Sequence, residues 1–261
     1  MARRRMITVR LGASACVLAA LTAPAFGQAP AGDGADDLQS AVPTVRIDPD
    51  EFPAECQPRV RAVVEHPTLA SHGPMELFTC QPSMYHWLLD HPDQTVKLWR
   101  RLGAKCLEIQ DLGGGRYGWK DGASDVRWDV ILDGPHRRVW YAEGQVKPGP
   151  LIPAVPIKAL LVLDYAEGKD ASGKPAVRHQ MQIVVHTDSR ITALATRIVG
   201  DTAPKAAEKY VGQLQMFYAA MAWYLDQHPD RAEKMFSSLD QPDPPGTKIT
   251  TPIPARPDGD R

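Results

Sequence analysis

The chain has 261 residues, carries 30 Lys and Arg against 31 Asp and Glu, and is 43% hydrophobic. That is enough apolar material for one domain with a sizeable core. The near-balanced charge, with no clustered basic face, excludes electrostatically driven nucleic-acid binding.

Residues 1–27 read as a cleavable signal peptide. Arg3, Arg4, Arg5 and Arg10 form a basic start, an apolar run follows to Leu21, and Ala25-Phe26-Gly27 offers small residues to a peptidase. The run is shorter than the roughly 20 residues a membrane span needs. Cleavage would remove four arginines and no acid, moving the net charge from −1 to −5. The sequence therefore predicts an exported protein, periplasmic or secreted, with no transmembrane segment after cleavage. Cys56, Cys80 and Cys106 would remain. In an oxidising compartment two of the three can pair, and the sequence does not choose among the pairings.

Residues 28–53 are rich in Ala, Gly, Asp and Pro and are expected to form a flexible, disordered leader. A single domain is expected over 54–239. Residues 75–79 form a short strand candidate, and Pro82 opens a helical stretch that His91-Pro92 breaks in two. Gly103 ends the second helix. From Cys106 the apolar period becomes two. Strands are expected over 106–110, 117–120, 126–132, 139–146, 159–166 and 177–186, with Gly113-Gly114-Gly115 as a hairpin turn. Strands joined this tightly imply one antiparallel sheet.

After the sheet the period returns to 3.6. A short helix is expected over 188–200 and a long one from Thr202 to about His228, with Pro204 in its first turn. Ala207, Tyr210, Val211, Leu214, Phe217, Tyr218, Met221 and Leu225 fall on one face about 120° wide. Such a helix is about 39 Å long, enough to cross a sheet. Residues 240–261 hold six prolines and read as a disordered tail.

A strand, two short helices, a run of antiparallel strands and one long amphipathic C-terminal helix is an α+β order that resembles the helix-grip fold. The likeness is to the START-like superfamily, which includes lipid-transfer domains and polyketide cyclases. It spans roughly residues 74–228 in element order and includes no diagnostic motif. The resemblance implies a curved sheet wrapped around the long helix, with an apolar cavity between them for a lipid-like or polycyclic ligand. On that expectation the candidate ligand-binding residues are Trp128 and Tyr141 from middle strands and His179 and Met181 from the last strand. The helix adds Leu214, Phe217, Tyr218 and Met221.

There is no Gly-x-Ser-x-Gly elbow, no His-Glu-x-x-His helix and no phosphate loop. His86 and His91 straddle a helix break, and His179 and His186 are an odd number of residues apart on one strand. Neither pair has the geometry of a metal site. No catalytic residue, metal ligand or cofactor is assigned. His179 shares parity with Val177, Met181, Ile183 and Val185, an inward face, whereas Arg178, Gln180 and Gln182 are expected to face solvent. Trp223, on the far side of the long helix, is expected to pack against an N-terminal helix.

The leading functional expectation is an exported, non-enzymatic carrier or binder of a hydrophobic small molecule. One alternative is a cyclase- or hydrolase-like enzyme using His179 or an acid such as Asp164 in the same cavity. Another is a ligand-free envelope interaction module.

Overall fold

The computed structural model describes residues 47–147, 153–187 and 202–239. The expected signal peptide, the leader up to residue 46, the short helix over 188–200 and the Pro-rich tail lie outside them. The helices are α1 (Gln57–Val64), α2 (Pro82–Asp90), α3 (Pro92–Arg101), α4 (Thr202–Gln227) and α5 (Pro229–Ser237). The strands are β1 (Leu69–His72), β2 (Glu76–Thr79), β3 (Gln110–Gly113), β4 (Arg116–Asp121) and β5 (Ser124–Asp133). They continue with β6 (Arg137–Val146), β7 (Val155–Lys169) and β8 (Pro175–His186). These strands form one antiparallel sheet of eight, ordered β1-β8-β7-β6-β5-β4-β3, with β2 pairing β8 beyond β1.

The fold is α+β, a helix-grip arrangement in which the 26-residue α4 packs on one face of the sheet. Side chains alternate across each strand, so the sheet carries two apolar clusters. The inner face sets Trp140, Leu163, Val177 and Met181 against Leu88, Val211, Met221 and Leu225 of the helices. The outer face sets Val139, Leu160, Val162 and Val184 under Phe52, Val60 and Val63.

That second layer was not expected. Residues 47–53, assigned by composition to the leader, instead belong to the domain. Pro49–Glu51 make a 3-10 turn that the Asp48 carboxylate caps, and Phe52 is buried. The Arg59 guanidinium then ties α1 to the sheet through two hydrogen bonds to Asp129, at 3.1 and 3.0 Å. The same layer corrects the reading of Gln182, which is buried on the outer face rather than in solvent.

Prolines break the first helical stretch as expected, with a compensation that the sequence pattern does not display. A continuous helix would bond the residue-92 amide to the Leu88 carbonyl, but Pro92 has no N–H. The buried Thr95 hydroxyl donates to that carbonyl instead, at 2.9 Å. Gly103, at φ 90°, then reverses the chain after α3.

The strand expected over 106–110 forms only at its end. Pairing with β4 begins at Gln110, opposite Gly118, and the residues before it have no ladder partner. Alternation alone does not supply one.

Between β1 and β2 the edge of the sheet carries a bulge. His72 pairs with Gln182 and Glu76 with His179, so three residues face two on β8. Gly73 donates to the Met181 carbonyl at 2.8 Å, while Pro74 has no amide to continue the ladder. The fully buried Gln215, in the middle of α4, fills the gap. Its Oε1 accepts from the Met181 amide at 2.8 Å and its Nε2 donates to the Pro74 carbonyl. A Cβ at position 73 would stand 2.7 Å from that Oε1, which explains the glycine.

The buried stripe of α4 is accordingly centred on Val211, Gln215 and Ala222 rather than on Leu214, which is only half-buried. Gln215→Ala should lower unfolding free energy by about 2–4 kcal/mol, because it leaves an amide and a carbonyl unpaired in the interior. Leu214→Ala should cost less. Denaturant melts of the two variants check the ranking, and a reversed order would show that the amide does not seat the helix.

Candidate functional site

The α4 backbone approaches the sheet chiefly along β1, β8 and β2. The inner faces of β4 to β6 lie farther from it, and aromatic residues occupy the space. Tyr117 and Trp128 face each other across β4 and β5, with rings stacked at 6.1 Å. Trp128, Leu161, Ile183, Leu214 and Tyr218 pack against the inner core yet stay half-buried. They line a trough between helix and sheet. Phe217, on the side of α4 toward α3, packs edge-on against Trp99 at 4.7 Å. Burial pushes the Tyr218 phenol above its ordinary range, against the opposing pull of Arg138. Its hydroxyl makes no hydrogen bond among the described residues.

Tyr117, stacked on Trp128, also lines a half-open cleft of about 320 Å³. Leu89, Asp90, the Gly114-Gly115 turn, Arg116, Tyr117, Asp129, Val130, Asp133 and Arg138 line it. Arg138 shares strand parity with Trp140 and is 5% exposed. Its Nε and Nη2 donate to the two carboxylate oxygens of Asp133 at 2.9 and 3.0 Å, and Nη2 lies 2.7 Å from Asp90. Burial alone would pull this guanidinium's pKa down, but the bonds to Asp133 and Asp90 outweigh it and hold it above the ordinary value. The Tyr117 hydroxyl donates to the Asp90 carbonyl at 2.9 Å.

His179 sits elsewhere on the inner face, 1% exposed, in a polar chain through the core. The Tyr85 hydroxyl lies 2.6 Å from Nδ1, and Nε2 lies 3.2 Å from the Glu76 carboxylate. Burial holds Tyr85 well above its usual pKa, so its hydroxyl keeps a proton, and the Glu76 carboxylate faces Nε2 as an acceptor. Phe78 packs edge-on against His179 and Tyr85, at 4.9 and 5.5 Å. The arrangement is an acid–base pair in hydrogen-bond reach, but Tyr85 is fully buried and the cleft does not reach it.

The eight candidate residues thus divide. Trp128, Leu214 and Tyr218 line the trough. His179, Met181 and Met221 are buried in the closed part of the core, and Phe217 is the contact to α3. Tyr141 lies on the opposite face, because β6 alternates and Trp140 takes the inward position. Its ring packs under the Arg59 guanidinium at 4.7 Å, and its hydroxyl donates to Glu143. Asp164 is also on the outer face, bound to Arg137 at 2.6 Å.

Trp223 is 41% exposed rather than packed on an N-terminal helix. Cys56, in the outer layer, and Cys80, in the inner core, lie on opposite sides of the sheet, and no disulfide joins the cysteines among the described residues. Among the described residues no group of three His, Cys, Asp or Glu is placed to hold a metal ion. No described helix is long and apolar enough to cross a membrane.

Sequence reasoning missed Glu76, Tyr85, Asp90, Asp133 and Arg138. Parity with Trp140 was the available signal for Arg138. The others are set by tertiary pairing.

No family model and no curated protein matches the chain. Solved structures similar to it include a conserved protein from Geobacillus kaustophilus, at 12% identity and TM-score 0.37, covering 65% of this chain and 95% of that one. A hypothetical protein from Helicobacter pylori aligns at 11% identity and TM-score 0.41, over 70% of this chain and 99% of its own. The di-domain ARO/CYC BexL from the BE-7585A biosynthetic pathway aligns at 12% identity and TM-score 0.39. That match covers 63% of this chain and 52% of BexL, so the chain spans about half of the di-domain protein.

Burial raises the Cys80 thiol to about 12 and Tyr85 well above 10.0. Both stay neutral when folded, while in the unfolded chain they ionise near pH 9 and 10 respectively. The unfolded state then holds fewer protons, so stability is complete below pH 9 and falls as pH rises. The slope should be about 1.4 kcal/mol per pH unit for each group. In thermal melts between pH 8 and 11, Cys80→Ala should delay the onset of the fall toward pH 10. An unchanged onset would mean that Cys80 is not the first group to titrate.

Proposed function

We propose that the chain is an exported, non-enzymatic binder of a hydrophobic small molecule, held in the trough between α4 and the inner face of β4–β6. The observation that carries this reading is that Trp128 and Leu161 of the sheet and Leu214 and Tyr218 of the helix pack on the inner core yet stay half-buried. Apolar side chains that could pack tightly instead line a space, as ligand sites do. Export rests on the layout of residues 1–27.

The enzymatic alternative would need the Tyr85–His179–Glu76 chain to meet a substrate. Its members are held by one another and by Phe78 inside the core, which favours a structural role.

Organic extraction of the purified protein, followed by mass spectrometry, should recover a co-purified lipid-like compound, and fluorescent fatty-acid or sterol probes should bind. Leu214→Trp adds bulk to the trough and should weaken probe binding at least about tenfold, with little loss of stability. In a closed core the same change would cost about 1–3 kcal/mol. An empty extract together with no probe binding would sink the proposal.

A further inference from the structure

The cleft beside Tyr117 has a charge pattern that selects among ligand head groups. Five of its lining residues are charged, namely Asp90, Arg116, Asp129, Asp133 and Arg138. Asp129 is committed to Arg59 beneath the sheet, at 3.0 Å. Arg116 pairs in register with Asp129, so strand alternation puts both side chains on the outer parity. Arg116 also donates from Nε to the Gly113 carbonyl. The inner side of the cleft is left with one guanidinium between two carboxylates.

That guanidinium is not free to move. Arg138 is 5% exposed, and three contacts to Asp133 and Asp90 fix Nε and Nη2. Its Nη1 has no hydrogen-bond partner among the described residues, and Arg138 lines the cleft. Nη1 is therefore a fixed donor on the edge of the guanidinium away from Asp133. Asp90 and Asp133 are about half-exposed, so their remaining lone pairs stay accessible.

We propose that this cleft is the head-group site of the ligand, and that it selects a neutral head carrying both a hydrogen-bond acceptor and hydroxyl or amide donors. A glycerol or sugar diol has this chemistry. Its acceptor oxygen meets Arg138 Nη1 and its donors meet Asp90 and Asp133. A carboxylate or phosphate head would stand against two carboxylates, and a quaternary ammonium brings neither an acceptor for Arg138 Nη1 nor an N–H for the acids. A group lacking donors would leave the acids without a partner. At about 320 Å³ the cleft lies at the small end of ligand sites, which run from roughly 300 to 1,000 Å³. It takes a head, and the trough takes the tail, with Tyr117 and its stacking partner Trp128 at the join.

This inference rests on the binder reading above, and one experiment separates the two. The purified full chain is titrated calorimetrically with three twelve-carbon probes below their micelle concentrations. These are 1-monolauroylglycerol, laurate and dodecyltrimethylammonium. The glycerol ester should bind at least about tenfold tighter than either charged probe. Equal binding by all three, or preference for a charged head, overturns the head-group inference and leaves the binder reading standing. Binding by none overturns both.

A variant then tests the location. Asp133 has a side chain 56% exposed, so Asp133→Asn should fold, and it removes one of the two negative charges beside Arg138. The variant should raise laurate affinity relative to the glycerol ester by about fivefold or more. An unchanged ratio would mean that the head group is read somewhere other than this cleft.

Discussion

One side-chain amide decides where the long helix sits. Antiparallel pairing along β8 is interrupted where three residues of the β1–β2 edge face two. The Met181 N–H and the Pro74 carbonyl would be left without backbone partners in the interior. Gln215 supplies an acceptor for one and a donor for the other. An unmade backbone bond in such a place is expensive, so the helix is anchored at this point along its length and rotation. Glycine at position 73 follows, because a Cβ there would crowd the Gln215 Oε1 that these bonds hold in place.

Anchoring at the β1–β8 edge has a consequence on the other side of the sheet. Sheets twist relative to a helix laid across them, and α4 makes its close approach chiefly along β1, β8 and β2. The gap over β4–β6 is partly filled by large rings and left partly open. The trough is therefore a product of the same geometry that seats the helix, and not of a missing side chain. Meanwhile the outer face is covered by residues 52–63, so both faces of the central strands are apolar, and Val139, Leu160, Val162 and Val184 are buried beneath α1. Arg59 on Asp129 keeps that cover in place.

Much of the fold is legible in the residues because local signals agree with it. Pro82, His91-Pro92 and Gly103 punctuate α2 and α3 where the structure begins and ends them. Period-two alternation locates β5 to β8, and the apolar stripe locates α4. What escapes is whatever depends on a partner. Gln215 reads as a polar interruption of the stripe until β8 offers it an orphan amide. Tyr141 and Trp140 are adjacent and equally aromatic, and only the register decides which faces the helix. Ladder pairing reaches only Gln110 of the 106–110 run, and α1 is hidden because Val60, Val63 and Val64 on an eight-residue helix make a stripe too short to stand out. The site is less legible than the fold for the same reason. Trp128, Leu214 and Tyr218 are visible as large apolar residues on inward faces, but Asp90, Asp133 and Arg138 become a group only when the end of α2 meets the start of β6.

The two buried polar groups on the inner face do different physical work. Tyr85 and His179 satisfy each other inside the core, and Glu76 closes the chain at the edge of the sheet, where its carboxylate is part-exposed. A network closed in this way specifies one packing of α2 against β2 and β8. Arg138 is held as firmly, by two carboxylates, yet its inventory does not close. The guanidinium has five N–H donors, and the contacts to Asp133 and Asp90 use only those on Nε and Nη2. The cost of burying and orienting the charge is met during folding, so a ligand that bonds the remaining donors meets a group already in place. Side by side in one core, the closed network accounts for rigidity, and the open one is the group that the proposed ligand would meet. On the binder reading, that contrast puts specificity at the Arg138 end of the trough rather than at His179.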